Sequence, residues 1–311
     1  MIFLFKRILQ AWDRFLFDSC DPRVAPIFRI SFSILILIQT MVVWPDAAYW
    51  YTDEGVMQTQ TAQGILDPGA WSLLNLFPSK PWAAQLGLIC LMAHGLLMLV
   101  GCYSRFQAAG IFVWLISFQN RNPLITDGED TLLRIFAFLM IWLPLDIFWA
   151  VFPSNVKASE LAQASSQAWG LRLIQFQMTA IYASTALSKL EGSTWQDGTA
   201  VWYVSRMTDN FGRCIPASYL DWPIASALAT YGTLIIESLL PIGLWIPKVR
   251  WISIGLAVLL HLGIESSMNL FLFQWLMLLG LIAFVRLPKN SRVAYRSDPE
   301  SGSTLRYASR R

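Results

Sequence analysis

The stretch Thr233-Leu-Ile-Ile-Glu-Ser-Leu-Leu-Pro241 decides how this chain is interpreted. It lies inside an apolar run over residues 224–245, and about 20 such residues suffice to cross a bilayer. One acid, Glu237, stands near the middle of the run. A charge at membrane depth is costly, so it normally faces a bundle interior or a polar cavity and has a partner. The stretch therefore predicts a transmembrane helix and an enclosed polar site.

Similar apolar runs recur along the whole chain. The protein is 55% hydrophobic and 14% charged, with a mean hydropathy of +0.48, whereas a soluble protein carries about a quarter charged residues. The runs are continuous rather than alternating, which argues against a transmembrane β-barrel. We predict an all-α, polytopic transmembrane helical bundle. Its eight predicted spans are at about 26–44, 82–101, 107–120, 131–152, 170–189, 224–245, 250–266 and 269–285.

The two ends of the chain differ from these runs. Residues 3–17 gather apolar side chains near one helical face, which predicts an amphipathic interfacial helix. A signal peptide is the alternative, but the apolar part is too short and no small-residue cleavage site follows. We expect residues 1–285 to form one transmembrane domain. Residues 286–311 are polar and basic, which predicts a disordered tail that touches anionic lipid.

The basic residues predict an orientation. With both termini cytoplasmic, 17 of the 23 Lys and Arg residues fall on the inner side. This bias agrees with the positive-inside rule and with an even number of spans. We therefore expect a protein integral to the bacterial inner membrane. The segments 45–81 and 190–223 are then long and external, and their tryptophans fit an aromatic belt.

Several classes of protein are excluded or set aside. No basic cluster is interleaved with aromatic residues, so nucleic acid is not an expected partner. The four cysteines form no CxxC pair and no metal-ligand spacing, so we expect no metal site. A transporter would suit the intramembrane charges, but the inverted repeat that many transporters show is missing.

Lys189 ends the fifth predicted span and has two interpretations. It is either a lysine that reaches the headgroups, or a partly dry lysine that acts as a base. Position alone favours the first. The other charged or titratable residues at similar positions are Arg29, Arg134, Glu237 and His261.

Two further groups attract attention. His261 and Glu265 are four residues apart and share a helical face, which suits a proton-handling pair or a satisfied core histidine but is too few ligands for a metal. Asp127 and Asp130 lie near a predicted helix N-terminus, where the dipole favours negative charge. Arg134 follows Asp130 by four residues and can pair with it, so a capped helix start explains most of this cluster.

Taken together, these segments resemble the HTTM family, the membrane domain shared with the vitamin K-dependent γ-carboxylases. The resemblance covers about residues 11–285. Its matching pieces are Trp12-Asp-Arg-Phe15, Asp21-Pro-Arg23, Phe28-Arg-Ile30, Asn122…Asp127-Gly-Glu-Asp130…Arg134, Tyr182…Lys189-Leu190…Trp195-Gln-Asp-Gly-Thr-Ala200, Glu237-Ser-Leu-Leu-Pro241, His261 and Asn269-Leu-Phe271.

The resemblance implies a chemistry. Lys189 would be the base that deprotonates a vitamin K-type hydroquinone such as menaquinol, with His261 as the second catalytic residue. The hydroquinone would react with oxygen to give a strong base, which removes a proton from a peptide glutamate before carbon dioxide adds. The implied substrate or quinone pocket comprises Arg29, Asp130, Arg134, Glu237, Glu265 and Trp195.

The resemblance also implies an alternative. The carboxylases have a histidine near the segment that here holds Asp127–Arg134, and a large lumenal domain where here 26 residues follow Val285. We therefore expect a partner chain in place of that domain. Some bacterial relatives act in the maturation of secreted antimicrobial peptides, which implies a non-catalytic membrane partner in peptide maturation or export. Lys189 discriminates, because an enzyme needs its neutral amine and a partner needs at most its charge.

Overall fold

The chain is helical throughout the part that the computed structural model describes, which is residues 2–17, 21–152 and 169–285. Within these ranges the extended pairing is one isolated bridge, between Phe211 and Met268. The predicted all-α class is confirmed. The described residues form two compact units, and the second consists of Ile174–Phe284. A single domain over 1–285 stays a prediction, and the tail 286–311 lies outside the described residues.

Within the described residues, the first unit contains seven α-helices and the start of an eighth. They are α1 (Ile2–Phe17), α2 (Val24–Val43), α3 (Ala47–Tyr51), α4 (Thr59–Ile65), α5 (Pro81–Leu99), α6 (Ser104–Arg121), α7 (Gly128–Met140) and the first turn of α8 (Trp169–Glu191). Short 3-10 helices join them at Trp44–Asp46, Leu73–Leu76 and Pro123–Ile125. The helix predicted over residues 3–17 is confirmed as α1, and its place at the membrane interface stays a prediction.

The second unit continues along α8 and contains five further α-helices. They are α9 (Ser193–Gln196), α10 (Ala200–Val204), α11 (Pro223–Gly243), α12 (Arg250–Ser267) and α13 (Phe273–Leu281). Its 3-10 helices are Ala217–Asp221 and Ile282–Phe284.

Three stretches of described helix are long and apolar enough to cross a membrane. They are α2 with its extension through α3 (28 residues), α5 (19 residues) and α11 (21 residues). Each of the other five predicted spans overlaps a helix, but these helices are shorter or less apolar. Eight spans therefore stay a prediction.

Two predicted boundaries are wrong. The span predicted over 131–152 ends as a helix at Met140, and turns follow. Pro144 lies just beyond, where it has no N–H to continue the helical ladder. The span predicted over 269–285 begins only at Phe273. Met268 is extended and Phe271 has a φ of 45°, so the backbone between α12 and α13 is not helical there.

The α11 surface shows why an apolar solvent suits this fold. One face carries exposed apolar side chains, among them Leu228 and Ile242, which are 71% and 68% exposed. The opposite face buries polar residues, namely Ser226, Thr230 and Glu237. In water, polar side chains outside and apolar side chains inside would be favoured. Lipid favours apolar side chains outside and paired polar groups inside.

Close helix packing in the first unit depends on small residues. A Cβ on Gly95 of α5 would lie 3.2 Å from the side chain of Leu37 in α2. The absence of a Cβ lets α2 and α5 approach each other. On α2, Phe28 also packs edge-on against Phe136 of α7, with ring centroids 5.3 Å apart. These contacts pack α2 against both α5 and α7.

Candidate functional site

Lys189 and Glu237 form an ion pair in the second unit. The Lys189 Nζ lies 2.5 Å from the Glu237 Oε2, with side chains that are 22% and 9% exposed. Nζ also lies 5.2 Å from the centroid of the Trp195 ring. The structure thus brings together three predicted site residues, one from the end of α8, one from α11 and one from α9.

The chain at the end of α8 places the tryptophan. Gly192 separates α8 from α9, and a Cβ at this position would lie 3.0 Å from the Trp195 ring. Glycine therefore leaves the room that the indole needs beside the lysine. A cation over an aromatic face is attracted by the ring quadrupole, so the Trp195 ring is a second favourable contact for the Lys189 side chain.

A buried chain of hydrogen bonds lies in the same unit. The Tyr182 hydroxyl is 2.7 Å from the His261 Nε2, and the His261 Nδ1 is 2.5 Å from the Gln274 Oε1. All three residues are buried. The amide oxygen can only accept, so Nδ1 carries the proton. In the neutral ring, Nε2 then accepts a hydrogen bond from the Tyr182 hydroxyl.

The ion pair and the hydrogen-bonded chain share α8. Tyr182 and Lys189 are seven positions apart on this helix and therefore lie on the same face of it. We call Lys189, Glu237, Tyr182, His261 and Gln274 the lysine cluster. It combines an ammonium ion, a carboxylate and a neutral imidazole, so it can hold a polar ligand or pass a proton between neighbours.

Glu265 does not form the predicted pair with His261. Both ring nitrogens of His261 are engaged by other residues, and the Glu265 Oε1 accepts a hydrogen bond from the Arg213 Nη1 instead. Glu265 and Arg213 thereby hold the segment after α10 against the end of α12, where Gly212 N also donates to the Ser267 carbonyl at 2.9 Å. Sharing a helical face was not sufficient to make a pair.

Arg29 lies in the first unit, where it cross-links α2 to the turns after α7. It is fully buried and donates to the carbonyls of Leu145 (3.1 Å) and Trp149 (2.6 Å) and to Asp146 Oδ1 (3.2 Å). Asp146 also accepts from the Ser104 amide at 2.9 Å. These contacts give Arg29 a structural role, and its predicted place in a quinone pocket stays a prediction.

Asp130 and Arg134 lie on α7, also in the first unit. Asp127 caps this helix by accepting from the Glu129 amide at 2.8 Å, and the Asp130 Oδ2 accepts from the Asp127 amide at 3.2 Å, which completes a capping box. Burial raises the pKa of the Asp130 carboxyl to about 6, against the lowering effects of the Asp127 amide and the Arg134 charge. The capped start was predicted, and a single site joining these residues to Lys189 stays a prediction.

Sequence reasoning missed two polar residues of structural weight. Gln274 stands in an apolar run, which was a usable signal for a buried hydrogen-bonding role. Arg121 is 2% exposed and donates to the Met57 carbonyl (3.0 Å), Asp53 (2.9 Å) and Ser79 (3.1 Å). It thereby fixes the segment after α3, and its external position in the sequence gave no hint of burial.

The described part of the chain is helical, with three stretches long and apolar enough to cross a membrane, and the second unit holds the lysine cluster among its helices. The sequence is 25% identical over 236 residues to the uncharacterized protein YitO of Bacillus subtilis. The aligned region covers 72% of this chain and 71% of YitO. It is 24% identical over 206 residues to the sporulation-delaying protein SdpB of the same organism. This aligned region covers 63% of this chain and 59% of SdpB.

Both proteins are homologues of this chain. No family model matches the chain, so the resemblance to the HTTM family stays a prediction. No solved structure matches it either.

Proposed function

We propose that this protein is a non-catalytic membrane partner in the maturation or export of a secreted peptide. It would lie in the plasma membrane with both termini cytoplasmic, in contact with lipid. The similarity to the sporulation-delaying protein SdpB supports a link to such a peptide. The observation that carries the non-catalytic role is the ion pair between Lys189 and Glu237.

The ion pair engages the Lys189 amine. If this protein were an enzyme with Lys189 as its base, that amine would have to be free. A general base needs a lone pair within reach of the proton that it takes. The Lys189 amine instead donates to Glu237 at 2.5 Å and faces the Trp195 ring at 5.2 Å, both of which are contacts of an ammonium ion. A partner protein needs only the positive charge of Lys189, because its ion pair with Glu237 joins α8 to α11.

A secretion assay tests the proposal. The gene is deleted in cells that normally produce the protein, and the small peptides of the culture medium are compared by mass spectrometry. One peptide should disappear and return with the wild-type gene. Lys189→Arg keeps the positive charge but cannot act as a base. This variant should restore the peptide to at least about half of its normal amount, whereas Lys189→Met should not.

One control measurement accompanies the assay. Immunoblots of membranes verify that each variant accumulates to the same level. If Lys189→Arg fails as completely as Lys189→Met while both are present in the membrane, the charge is not sufficient and the partner proposal is wrong.

A carboxylase-like enzyme is the second candidate, and the buried Tyr182–His261–Gln274 chain favours it. Lys189 would first pass its proton to Glu237 and then accept one from a menaquinol-type hydroquinone, with oxygen and carbon dioxide as co-substrates and a partner chain presenting the peptide. Membranes containing the wild-type protein should then oxidise the hydroquinone in oxygen, and Lys189→Arg should abolish this. The mature peptide should also carry the added mass of a carboxyl group, and an unmodified mature peptide would exclude this candidate.

A further inference from the structure

A small pocket in the first unit lies where α2, α3, α5 and α6 meet the start of α7. Its volume is about 30 Å³. A water molecule needs about 10–15 Å³ by this measure, so the pocket can hold one ammonium-sized group with an attached methylene. We call it the Asp130 pocket. Its polar and aromatic wall includes Gln39, Tyr51, Phe118, Thr126 and Asp130.

The wall offers hydrogen-bond acceptors that lack donors. The Gln39 Oε1 is buried and has no hydrogen-bond partner in the described part of the chain. The Asp130 Oδ2 accepts from the Asp127 amide, and within the same residues its Oδ1 accepts from none. Tyr51 also lines the pocket, and its oxygen has no hydrogen-bond partner among the described residues. An unmatched buried acceptor such as the Gln39 Oε1 is costly unless a ligand or water supplies the donor.

The remaining wall suits an organic cation rather than a metal ion. Leu88, Leu91 and Leu115 line the pocket, and the Tyr51 ring packs edge-on against Phe118 with centroids 4.8 Å apart. Hard metal ions take about six oxygen ligands, more than this wall leaves free. An alkylammonium ion has three N–H donors, a methylene that contacts leucine, and a charge that aromatic faces attract.

We propose that the Asp130 pocket binds a primary ammonium group, with Gln39, Tyr51 and Asp130 as its acceptors. We infer an ethanolamine lipid headgroup as its source, because α2 and α5 line the pocket and are apolar enough to cross a membrane. An amine of the secreted peptide, which would rest on the proposed function, is the alternative outcome of the test. Thr126 is exposed on the pocket wall, so the group can enter from the surface.

Binding should depend on pH with a definite sign. Burial raises the pKa of Asp130 to about 6, so its carboxyl takes a proton as the pH falls through this value. The charged groups that act on it are Asp127 and Arg134, and Tyr51 of α3 lines the same pocket. A cation binds to the ionised carboxyl, so affinity should be about tenfold lower at about pH 5 than at about pH 7.

Isothermal titration of the full-length protein in detergent tests the site, with methylammonium as the probe. It should bind once per chain in about the millimolar range, given its two heavy atoms. Tetramethylammonium, which has the charge but no N–H donor, should bind at least about tenfold more weakly. Asp130→Asn should lower the affinity at least about tenfold and remove the pH dependence, and Gln39→Glu should raise the affinity.

The matched control is Asp67→Asn, which removes an exposed carboxylate outside the pocket and should change nothing. Circular dichroism and thermal unfolding verify the fold of each variant. The proposal is wrong if methylammonium does not bind, if sodium or tetramethylammonium competes equally, or if folded Asp130→Asn and Gln39→Glu both bind as the wild type does.

Two comparisons then identify the source of the ammonium group. Nanodiscs with ethanolamine lipid should block methylammonium, and nanodiscs with choline lipid should not, if the source is lipid. A synthetic copy of the secreted peptide should compete only with its amines free, and not after acetylation, if the source is peptide. If neither competes, the pocket has no physiological ammonium ligand. The secretion assay on Lys189 variants is independent of these results, so each proposal can fail alone.

Discussion

The two units hold their buried charges in different ways. In the first unit, Arg29 and Arg121 are almost fully buried, and each donates to at least one backbone carbonyl as well as to a carboxylate. In the second unit, Lys189 has one hydrogen-bond partner among the described residues, Glu237. A guanidinium with five donors can join several segments, whereas an ammonium ion held by one carboxylate keeps donors free. The first arrangement is structural, and the second leaves capacity for a ligand.

The largest expected effect is the loss of Arg29. Replacing it in Arg29→Met removes three hydrogen bonds at a buried site and leaves Asp146 without its cation. We expect the free energy of unfolding to fall by about 3–5 kcal/mol, as when one partner of a buried pair is removed. Chemical unfolding of the purified protein in detergent measures this change.

Lys80→Met is the matched control for Arg29→Met. Lys80 pairs with Glu54 at 2.7 Å, but the two side chains are 58% and 53% exposed. Exposed ion pairs contribute little, so the midpoint of unfolding should not move. Equal effects of the two substitutions would remove the distinction between structural and dispensable charges.

The next effect concerns the pair in the second unit. Glu237→Leu and Lys189→Met should each lower the free energy of unfolding by about 2 kcal/mol, less than for a fully buried pair because Lys189 keeps some exposure. The double variant should cost clearly less than the sum, since neither charge is then left alone. A double-variant cycle measures the coupling, and simple additivity would mean that the 2.5 Å contact contributes nothing to stability.

A smaller effect is expected for Tyr182→Phe. It leaves the His261 Nε2 without a donor in a buried site, which should cost about 1–2 kcal/mol. Tyr231→Phe removes the same atom from an exposed hydroxyl that donates to the Gln196 carbonyl at 2.9 Å. This control should stay within about 0.5 kcal/mol of the wild type. If the two phenylalanine variants unfold alike, the buried chain does not depend on Tyr182.

The smallest effect tests the helix start beside the Asp130 pocket. Asp127→Ala removes the cap of α7 and should cost about 1 kcal/mol. Asp127→Ser should recover most of this loss, because serine can cap the same amides. Asp67→Ala, at an exposed turn, is the control. Thermal unfolding in detergent at one pH compares all three, and a serine variant as unstable as the alanine variant would argue against capping.

Helices were predictable from sequence because their signal is local. The run 224–245 corresponds to α11 (Pro223–Gly243) within two residues at either end. The run 131–152 failed beyond Met140, since apolar composition continued past Pro144 while the helical hydrogen bonds did not. Apolar composition predicts that a segment can be buried in lipid or protein. Where its helix ends depends also on proline and on turn-forming residues.

The candidate site was predictable only in part. Lys189, Glu237 and His261 stand out in apolar runs because an isolated charge or polar group in lipid needs a partner. Which partner each one takes could not be predicted. For His261 the sequence left open a pair with Glu265 and a satisfied core histidine, and in the structure it contacts Tyr182, 79 positions away along the chain, and Gln274.

The sequence by itself determined that this is a helical protein suited to a membrane, where most helices lie, and which charged residues must be enclosed. Those conclusions depend on composition and periodicity, which every segment carries alone. Only the tertiary structure decided that Lys189 meets Glu237 across 48 positions, and that Arg29 meets Asp146 across 117. Such pairs form when helices pack, and the rotation of one helix against another is set by the sum of many side-chain contacts rather than by any single residue.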